Sequence, residues 1–427
     1  MNMPSPTILR AATILNNGIP AGILQETTEG YTFSYQADYL EMEHAEPVSL
    51  TLPLQVPSFH SPILVSFFDG LIPEGWLLDI TTHTWKVLHW QCQHQTGFPR
   101  RDIMKICLSC GKELREENTS QYWHEKCIKA FFGTSSLPEI DLTPEKIMEL
   151  AKQQVLQQVL TTGVQKKISL HLETSADHTR RLTFIGYPAG YILKPQTEDY
   201  PHMPETEFVT MLTARAFGIE TVPFGLIPLA DHSLAYITRR VDRAWPVTQT
   251  PKGLEKIAME DFCQLSGRMT ADKYKGSYEQ CGHIISQYSV QPGLDAMEFF
   301  TRLVHAYLTG NNDMHLKNFS LLHDRTKGWS LSPAYDLICA AILLPEDKDE
   351  TALTLHGKKR KLTRHDFLTL SQHMGLPENR VHHILDRGRQ KQKEIYTIVA
   401  NSPLPASMKD AYKTLYDERS RRLVQQA

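Results

Sequence analysis

What this chain lacks narrows its chemistry before any motif is read. It has no apolar run able to span a bilayer; the most apolar window, Ile63 to Leu78, is interrupted by Asp69, Pro73 and Glu74. Its N-terminus shows no basic-then-apolar leader pattern. Neither sign of charge dominates: the formal net charge is −3 and the pI about 6.7, so bulk electrostatics gives no case for direct binding to nucleic acid or an anionic membrane. Cysteines are few and odd in number, seven in 427 residues, which argues against a disulfide scaffold and for a reducing, cytoplasmic setting. No internal repeat or low-complexity tract is present. At this length two or three domains are expected, with a sizeable core.

The stretch with the sharpest chemistry is Gly310-Asn311-Asn312-Asp313-Met314-His315-Leu316-Lys317-Asn318, followed by the apolar run 319–322 and by Pro333-Ala334-Tyr335-Asp336. Asp313 and Asn318 have the Asp-x-x-x-x-Asn spacing of a kinase catalytic loop, and Asp336 stands eighteen residues after Asn318. Phosphoryl transfer asks a protein for a carboxylate that orients the attacking hydroxyl and for oxygen ligands that hold Mg²⁺ against the triphosphate. Upstream, Leu294, Met297, Phe300, Val304, Tyr307 and Leu308 share one helical face and Gly310 ends the helix, so a buried helix would deliver the loop. An Asp-x-x-x-x-Asn run by itself is more often an Asx-type turn. The helix before it, the strand after it and the later Asp favour catalysis.

Elsewhere, residues 11–15, the turn Asn16-Asn17-Gly18 and residues 20–24 read as a hairpin, Gly30 to Tyr35 as a strand, and Ser49 to Leu54 as a short one. Residues 85–101 have no period and read as a linker. Cys107-x-x-Cys110 and His124-x-x-Cys127, thirteen residues apart, have the spacing of a structural zinc knuckle with Gly111 at its turn; four unmetallated residues near a helix are the plain alternative. Cys92, Cys263, Cys281 and Cys339 have no such spacing and read as buried thiols. Residues 144–160 read as a helix. Tyr191 to Lys194 reads as a strand ending on a lysine, and Glu205 to Phe217 as a helix stopped by Gly218. Kinases place on such elements a lysine for the α- and β-phosphates and its glutamate partner, here Lys194 and Glu207; a strand-end lysine and a solvated glutamate are the alternative. Leu337 to Leu344 reads as an apolar helix or strand, and His356 to Lys361 as a basic, solvated face.

Gly310 to Phe319 resembles the catalytic loop of the HipA-type serine/threonine kinase toxins, in which a Gly-Asn-x-Asp-x-His-x-Lys-Asn-Phe run recurs. The match looks closest to the branch in which the kinase, HipT, is made separately from a small partner, HipS. Phe67 to Trp76 is similar to the Phe-Phe-Asp-x-Leu-x-Pro-Glu-Gly-Trp element of HipS proteins, so the chain looks like a fusion of two ordinarily separate subunits. The resemblance implies an α+β, bilobal, protein-kinase-like fold with a small, mostly-β N-terminal subdomain. Its expected divisions are 1–90 for the HipS-like module, 91–104 for a linker, 105–130 for the knuckle, 131–245 for the small lobe and 246–427 for the large, mostly helical lobe. It implies the toxin of a toxin–antitoxin system that uses ATP and Mg²⁺ to phosphorylate a Ser or Thr of a translation protein, often an aminoacyl-tRNA synthetase. It also implies a HipB-like helix-turn-helix antitoxin, through which alone DNA would be reached.

Carried over residue by residue, the resemblance makes Asp313 the group that orients or deprotonates the acceptor, Asn318 and Asp336 the Mg²⁺ ligands, and Glu207 the partner of Lys194. Gly163, Gln165, Lys167 and Leu170 match a Gly-x-Gln-x-Lys-x-x-Leu nucleotide loop, which is neither a Walker A motif nor a three-glycine kinase loop. Asp242 matches a residue near the nucleoside, Arg239 departs in charge from the hinge position, and Gln264 is placed near the nucleotide. Lys317 either fixes the loop or reaches the γ-phosphate, and His315 fixes the loop. The family's nucleotide loop carries a serine whose self-phosphorylation silences the kinase. Leu160 rules out the first such position here, so Thr162, with Thr161 beside it, is the carry-over. Trp76 matches the HipS tryptophan that occupies the cleft, although a lone Trp in an apolar run is more readily a core aromatic. Two rivals stand: a small-molecule phosphotransferase using the same loop, and an inactive pseudo-kinase that serves in docking.

Overall fold

The computed structural model describes residues 7–72, 106–114, 122–138, 167–174, 180–183, 190–197, 199–245 and 254–424. Asn17 and Gly18, both left-handed (φ +53° and +82°), join β1 (Ile8–Asn16) to β2 (Ile19–Thr27), the geometry a two-residue hairpin requires. β3 (Gly30–Tyr35) and β4 (Phe59–Ser61) complete an antiparallel sheet in chain order. Ser49 to Leu54 is not the strand its sequence predicts. It makes one isolated bridge, Ser49 to Leu52, because Pro53 has no N–H for a ladder. Leu52 instead joins a separate small core with Phe33, Tyr35, Tyr39 and Phe68, the last two supplied by the short helices α1 (Ala37–Leu40) and α2 (Ser66–Asp69).

The second body follows α3 (Glu125–Phe132). Its strands are β5 (Ile168–Thr174), β6 (Arg180–Thr183), β7 (Tyr191–Lys194), β8 (Phe224–Pro228) and β9 (Leu234–Arg239), antiparallel in the order β6-β5-β7-β9-β8. α4 (Met203–Phe217) packs on β8 and β9 and is buried nearly all round. Its threonines tolerate this because their hydroxyls donate to carbonyls one turn back, Thr206 to His202 O at 2.7 Å and Thr210 to Thr206 O at 2.8 Å.

The third body is mostly helical: α5 (Phe262–Leu265), α6 (Tyr278–Tyr288), α7 (Pro292–Thr309), α8 (Ala340–Leu343), α9 (Arg364–His373), α10 (Glu378–Asn401) and α11 (Ala406–Val424). A small sheet, β10 (Met259–Asp261), β11 (Ser320–Asp324) and β12 (Gly328–Leu331), lies among them. α7 buries Phe300, Val304, Tyr307 and Leu308 as its periodicity predicts, but Leu294 is 70 % exposed. In that first turn Asp295 points inward instead, accepting from Leu331 N at 2.7 Å and the Ser289 hydroxyl at 2.6 Å. Gly310 ends α7 at φ +73°, and a Cβ there would run into Leu415 and lie 3.1 Å from Ala341 Cβ, so the stop needs glycine twice over. The run Leu337 to Leu344 is helical only over α8.

One continuous core joins the second and third bodies, whereas the N-terminal sheet keeps its own. That sheet docks on the third body through polar groups. Ser49 Oγ and Leu50 N donate to the Glu260 carboxylate at 2.7 and 2.6 Å, and Gln264 Nε2 donates to Phe67 O at 3.1 Å. Thr270 N donates to Asp69 Oδ2 at 2.5 Å. Among the described residues no helix is long and apolar enough to cross a membrane.

Candidate active site

α7 and α5 anchor the two ends of the 310–319 loop: Asn311 N donates to Ala306 O at 2.8 Å, and Phe319 O accepts from Phe262 N at 2.9 Å. Between them a 3₁₀ turn spans Leu316–Asn318. Asn318 Nδ2 donates to Asp313 O at 2.7 Å, which engages the amide nitrogen and leaves the amide oxygen as the ligand atom. Asp313 Oδ1 accepts from the Tyr274 hydroxyl at 2.6 Å.

Asp336 lies beyond β12 at φ +55°, a left-handed conformation that residues with a Cβ seldom adopt and that gathers at functional sites. Its Oδ2 pairs with Lys167 Nζ, just before β5, and its Oδ1 with Lys194 Nζ at the end of β7, each at 2.6 Å. Lys194 Nζ also pairs with Glu207 Oε1 on α4 at 2.5 Å. Two ammonium groups and two carboxylates thus meet at the junction of the second and third bodies.

The electrostatics follow from burial set against this pairing. Burial opposes the charge of Lys194, but Asp336 and Glu207 outweigh it and hold the ammonium above its ordinary value. Burial also opposes ionisation of Asp336, yet Lys167 and Lys194 pull its carboxyl well below the usual carboxylate range. Glu207 shares its lysine with Asp336, its Oε2 meets no hydrogen-bond partner among the described residues, and burial pushes it up to about 7. The Asp313 carboxyl is raised by burial and by the like charge of Asp336, against the Tyr274 hydroxyl, Lys273 and Lys167. Burial lowers His315 to about 3, so this imidazole is neutral and has little of a base's proton affinity.

Other expected site residues have narrower surroundings. Asp242 is clasped by Arg240 at 2.8 Å and Arg243 at 2.7 Å; burial works against its charge, and the arginines still hold it at about 2. Arg239 Nε donates to Phe131 O at 2.8 Å and its guanidinium lies 4.3 Å from the Trp245 ring centroid, tying α3 to the end of β9. Lys317 Nζ is 3.1 Å from Asp261 Oδ2, and its carbonyl accepts from the Tyr335 hydroxyl at 3.2 Å, so it braces the loop. Gln264 is turned toward the N-terminal subdomain: Asp261 caps α5 in a reciprocal pair with it, and its Nε2 donates to Phe67 O of α2. The basic 356–361 cluster is more than a solvated face: His356 and Lys358 pair with the buried Asp366, and Arg360 with Asp349. Thr162, Gly163, Gln165, Trp76 and Cys92 lie outside the described residues.

Two residues of the neighbourhood escaped sequence reasoning. Tyr274 stands in Asp272-Lys273-Tyr274-Lys275-Gly276, which has the composition of a surface turn. Glu260 gives no local sign that it would be buried, at 2 % exposure, against a segment 210 residues away.

Cys107, Cys110, His124 and Cys127 converge, with their ligand atoms all within 4.8 Å of one another. His124 turns Nδ1 toward the sulfurs, 3.4 Å from Cys110 Sγ, while Nε2 lies 3.0 Å from Glu113 O. A proton on Nε2 that bonds this carbonyl leaves Nδ1 as the ligand atom, the outer-shell arrangement typical of metal-bound histidine. Gly111, at φ +70°, makes the knuckle turn. The knuckle covers β8, the sheet's edge: Leu226 N donates to Leu108 O at 2.7 Å and Trp123 Nε1 to Leu226 O at 2.8 Å.

The fold and this junction define a two-lobed, kinase-like protein with an N-terminal sheet subdomain. The chain belongs to the HipA family: the HipA-like C-terminal domain matches residues 159–395, more than half of the chain, and the HipA N-terminal domain matches residues 12–113. The Y4dM protein of Sinorhizobium fredii, which its name marks as an inferred kinase, is 26 % identical over 96 % of this chain and 97 % of its own. An inferred kinase of Haemophilus influenzae is 25 % identical over 66 % of this chain and 86 % of its own. A HipA of Shewanella oneidensis, solved with HipB and its operator DNA, superposes at a TM-score of 0.64 with 18 % identity, covering 97 % of both chains.

Proposed function

We propose that this chain is an ATP-dependent serine/threonine protein kinase that acts as the toxin of a toxin–antitoxin pair. The observation that carries the reading is the convergence on Asp336 of Lys167 and Lys194, with Lys194 paired to Glu207, beside the Asp313–Asn318 loop. Nucleotide phosphoryl transfer needs a lysine for the phosphates, a glutamate to hold it, two oxygen ligands for Mg²⁺ and a carboxylate for the acceptor. Asn318 and Asp336 offer the hard oxygen donors Mg²⁺ prefers. With Mg²⁺-ATP bound, Asn318 and Asp336 would hold the metal, and Lys167 and Lys194, freed from Asp336, would neutralise the phosphate oxygens. Asp313 accepts the acceptor hydroxyl's proton as its oxygen attacks the γ-phosphorus and ADP departs. Gly163 and Gln165 belong to the nucleotide loop, and Asp242, in its arginine clasp, stands on the nucleoside side.

The acceptor in this reading is a Ser or Thr of a translation protein such as an aminoacyl-tRNA synthetase, and the work is done in the cytoplasm. The partner is a HipB-like antitoxin, the kind of protein with which the Shewanella HipA was solved, and DNA is met through it. Thr162 is the self-phosphorylated residue and Trp76 the docking residue of the N-terminal module. In this reading the chain is a fusion of two ordinarily separate subunits, for which the HipS-like element Phe67 to Trp76 is the support. Zn²⁺ held by Cys107, Cys110, His124 and Cys127 is structural, since four protein ligands leave no open position for chemistry.

Incubating the chain with labelled ATP and cell lysate tests the reading. Wild type should label a protein, and Asp313→Asn should not. Label in the metabolite fraction would make the protein a small-molecule phosphotransferase, and a wild type without ATP turnover would make it a pseudo-kinase.

A further inference from the structure

We propose that Tyr274 is a positioning residue for Asp313, and that the segment Thr270 to Tyr274 ties this carboxylate to the N-terminal subdomain. The proposal rests on the phosphoryl-transfer reading above. The Tyr274 hydroxyl donates to Asp313 Oδ1 at 2.6 Å, and its ring stands edge-on to His315 of the same loop, with centroids 4.9 Å apart and planes at 88°. The adjoining chain grips the loop again: Lys273 O accepts from Leu316 N at 3.1 Å, and the Tyr278 hydroxyl donates to Met314 O at 3.1 Å. Lys273 and Tyr274, with Tyr278 at the start of α6, therefore hold four consecutive loop residues, Asp313 to Leu316. A carboxylate with a donor fixed on one oxygen has lost most of its torsional freedom, so its second oxygen keeps one aim toward an incoming hydroxyl. A phenol is intrinsically a weaker acid than a carboxyl, so it remains the donor in this hydrogen bond and Tyr274 orients the base without replacing it.

The other end of the segment belongs to a different body. Thr270 N donates to the carboxylate of Asp69, the last residue of α2 in the N-terminal subdomain. Between the two contacts the chain is wound as a 3₁₀ turn over Thr270–Asp272, with Lys273 N on Thr270 O at 3.2 Å and Lys275 N on Asp272 O at 2.8 Å. A stiff stretch of five residues thus runs from Asp69 to Asp313. Tyr274 is itself 45 % exposed, so the hydroxyl contact, and not core packing, is its specific contribution.

The test is ADP release by the full chain with ATP varied, in the presence of the lysate protein fraction. Tyr274→Phe should lower kcat about ten-fold, the loss of one charge-assisted hydrogen bond, with KM for ATP within about two-fold and the thermal midpoint unchanged. Tyr274→His, which keeps an N–H donor, should recover part of that rate. Asp69→Ala should lower kcat by less, and the double variant Asp69→Ala with Tyr274→Phe should be no slower than Tyr274→Phe alone, because both act by one route. An unchanged or raised kcat in Tyr274→Phe, or a loss seen only in KM, overturns the positioning role. Additive losses in the double variant overturn the tie to the N-terminal subdomain. Wild type without turnover removes the phosphoryl-transfer reading itself, an outcome distinct from the others.

Discussion

Lys194 and Glu207 pair where water is excluded, each side chain only 1 % exposed. Removing one member of such a pair leaves an uncompensated buried charge, so Lys194→Met should cost roughly 3 kcal/mol of stability, read by denaturant unfolding, besides ending transfer. Adding Glu207→Leu removes the stranded carboxylate. The double variant should regain much of that stability and none of the activity. The strand-then-helix order already placed Lys194 and Glu207 on the elements where they are found, because a short apolar run ending on a lysine and a longer run stopped by Gly218 are both local signals. That Asp336 would collect two lysines was not legible, since no spacing rule relates residues 142 and 169 positions apart.

At the scale of elements, the knuckle and β8 depend on each other. Gly225 lies under the Trp123 ring, where a side chain would collide with the indole, and the Leu108 carbonyl and the Trp123 indole N–H satisfy the edge of β8 at Leu226. Elemental analysis should find stoichiometric zinc in the wild type, and Cys110→Ser should lose it and lower the thermal midpoint. A wild type free of zinc that keeps its midpoint in strong chelator would refute the metal. The Cys-x-x-Cys and His-x-x-Cys spacing could be read directly because zinc ligation is a local demand. The edge it covers could not, since β8 lies about a hundred residues downstream, as the 103-residue separation of Trp123 and Leu226 shows. At Gly310, Gly310→Ala should destabilise by about 1–3 kcal/mol by equilibrium unfolding, through both a left-handed φ and contact with Leu415.

At the scale of the whole molecule, Glu260 is one of the groups that join the N-terminal subdomain to the rest. Burial pushes this carboxyl from 4.5 up to about 6. A folded pKa above the unfolded one means that protonation favours the folded, docked state. The stabilisation is full below about pH 4.5 and is lost as pH rises through about 6. Glu260→Gln keeps the shape and stays neutral, so at pH 7.5 it should be more stable than wild type by up to about 2 kcal/mol, and near pH 4.5 the two should coincide. Thermal melts across this range decide it; a wild type that gains stability relative to the variant as pH rises would contradict the sign.

Short-range order set by spacing was within the sequence's own power: the Asn-Gly hairpin, the helix that ends at Gly310, the Asp313–Asn318 loop, the knuckle ligands. Each depends on backbone geometry over a few residues, and that geometry is encoded where it acts. Tertiary packing alone decided which distant charges meet. It set Lys167 and Lys194 on Asp336, Tyr274 on Asp313, and Ser49 and Leu50 on Glu260. Such pairs form only after the core has brought their elements together, and the same side chains at the same chain positions would be solvated on any other packing.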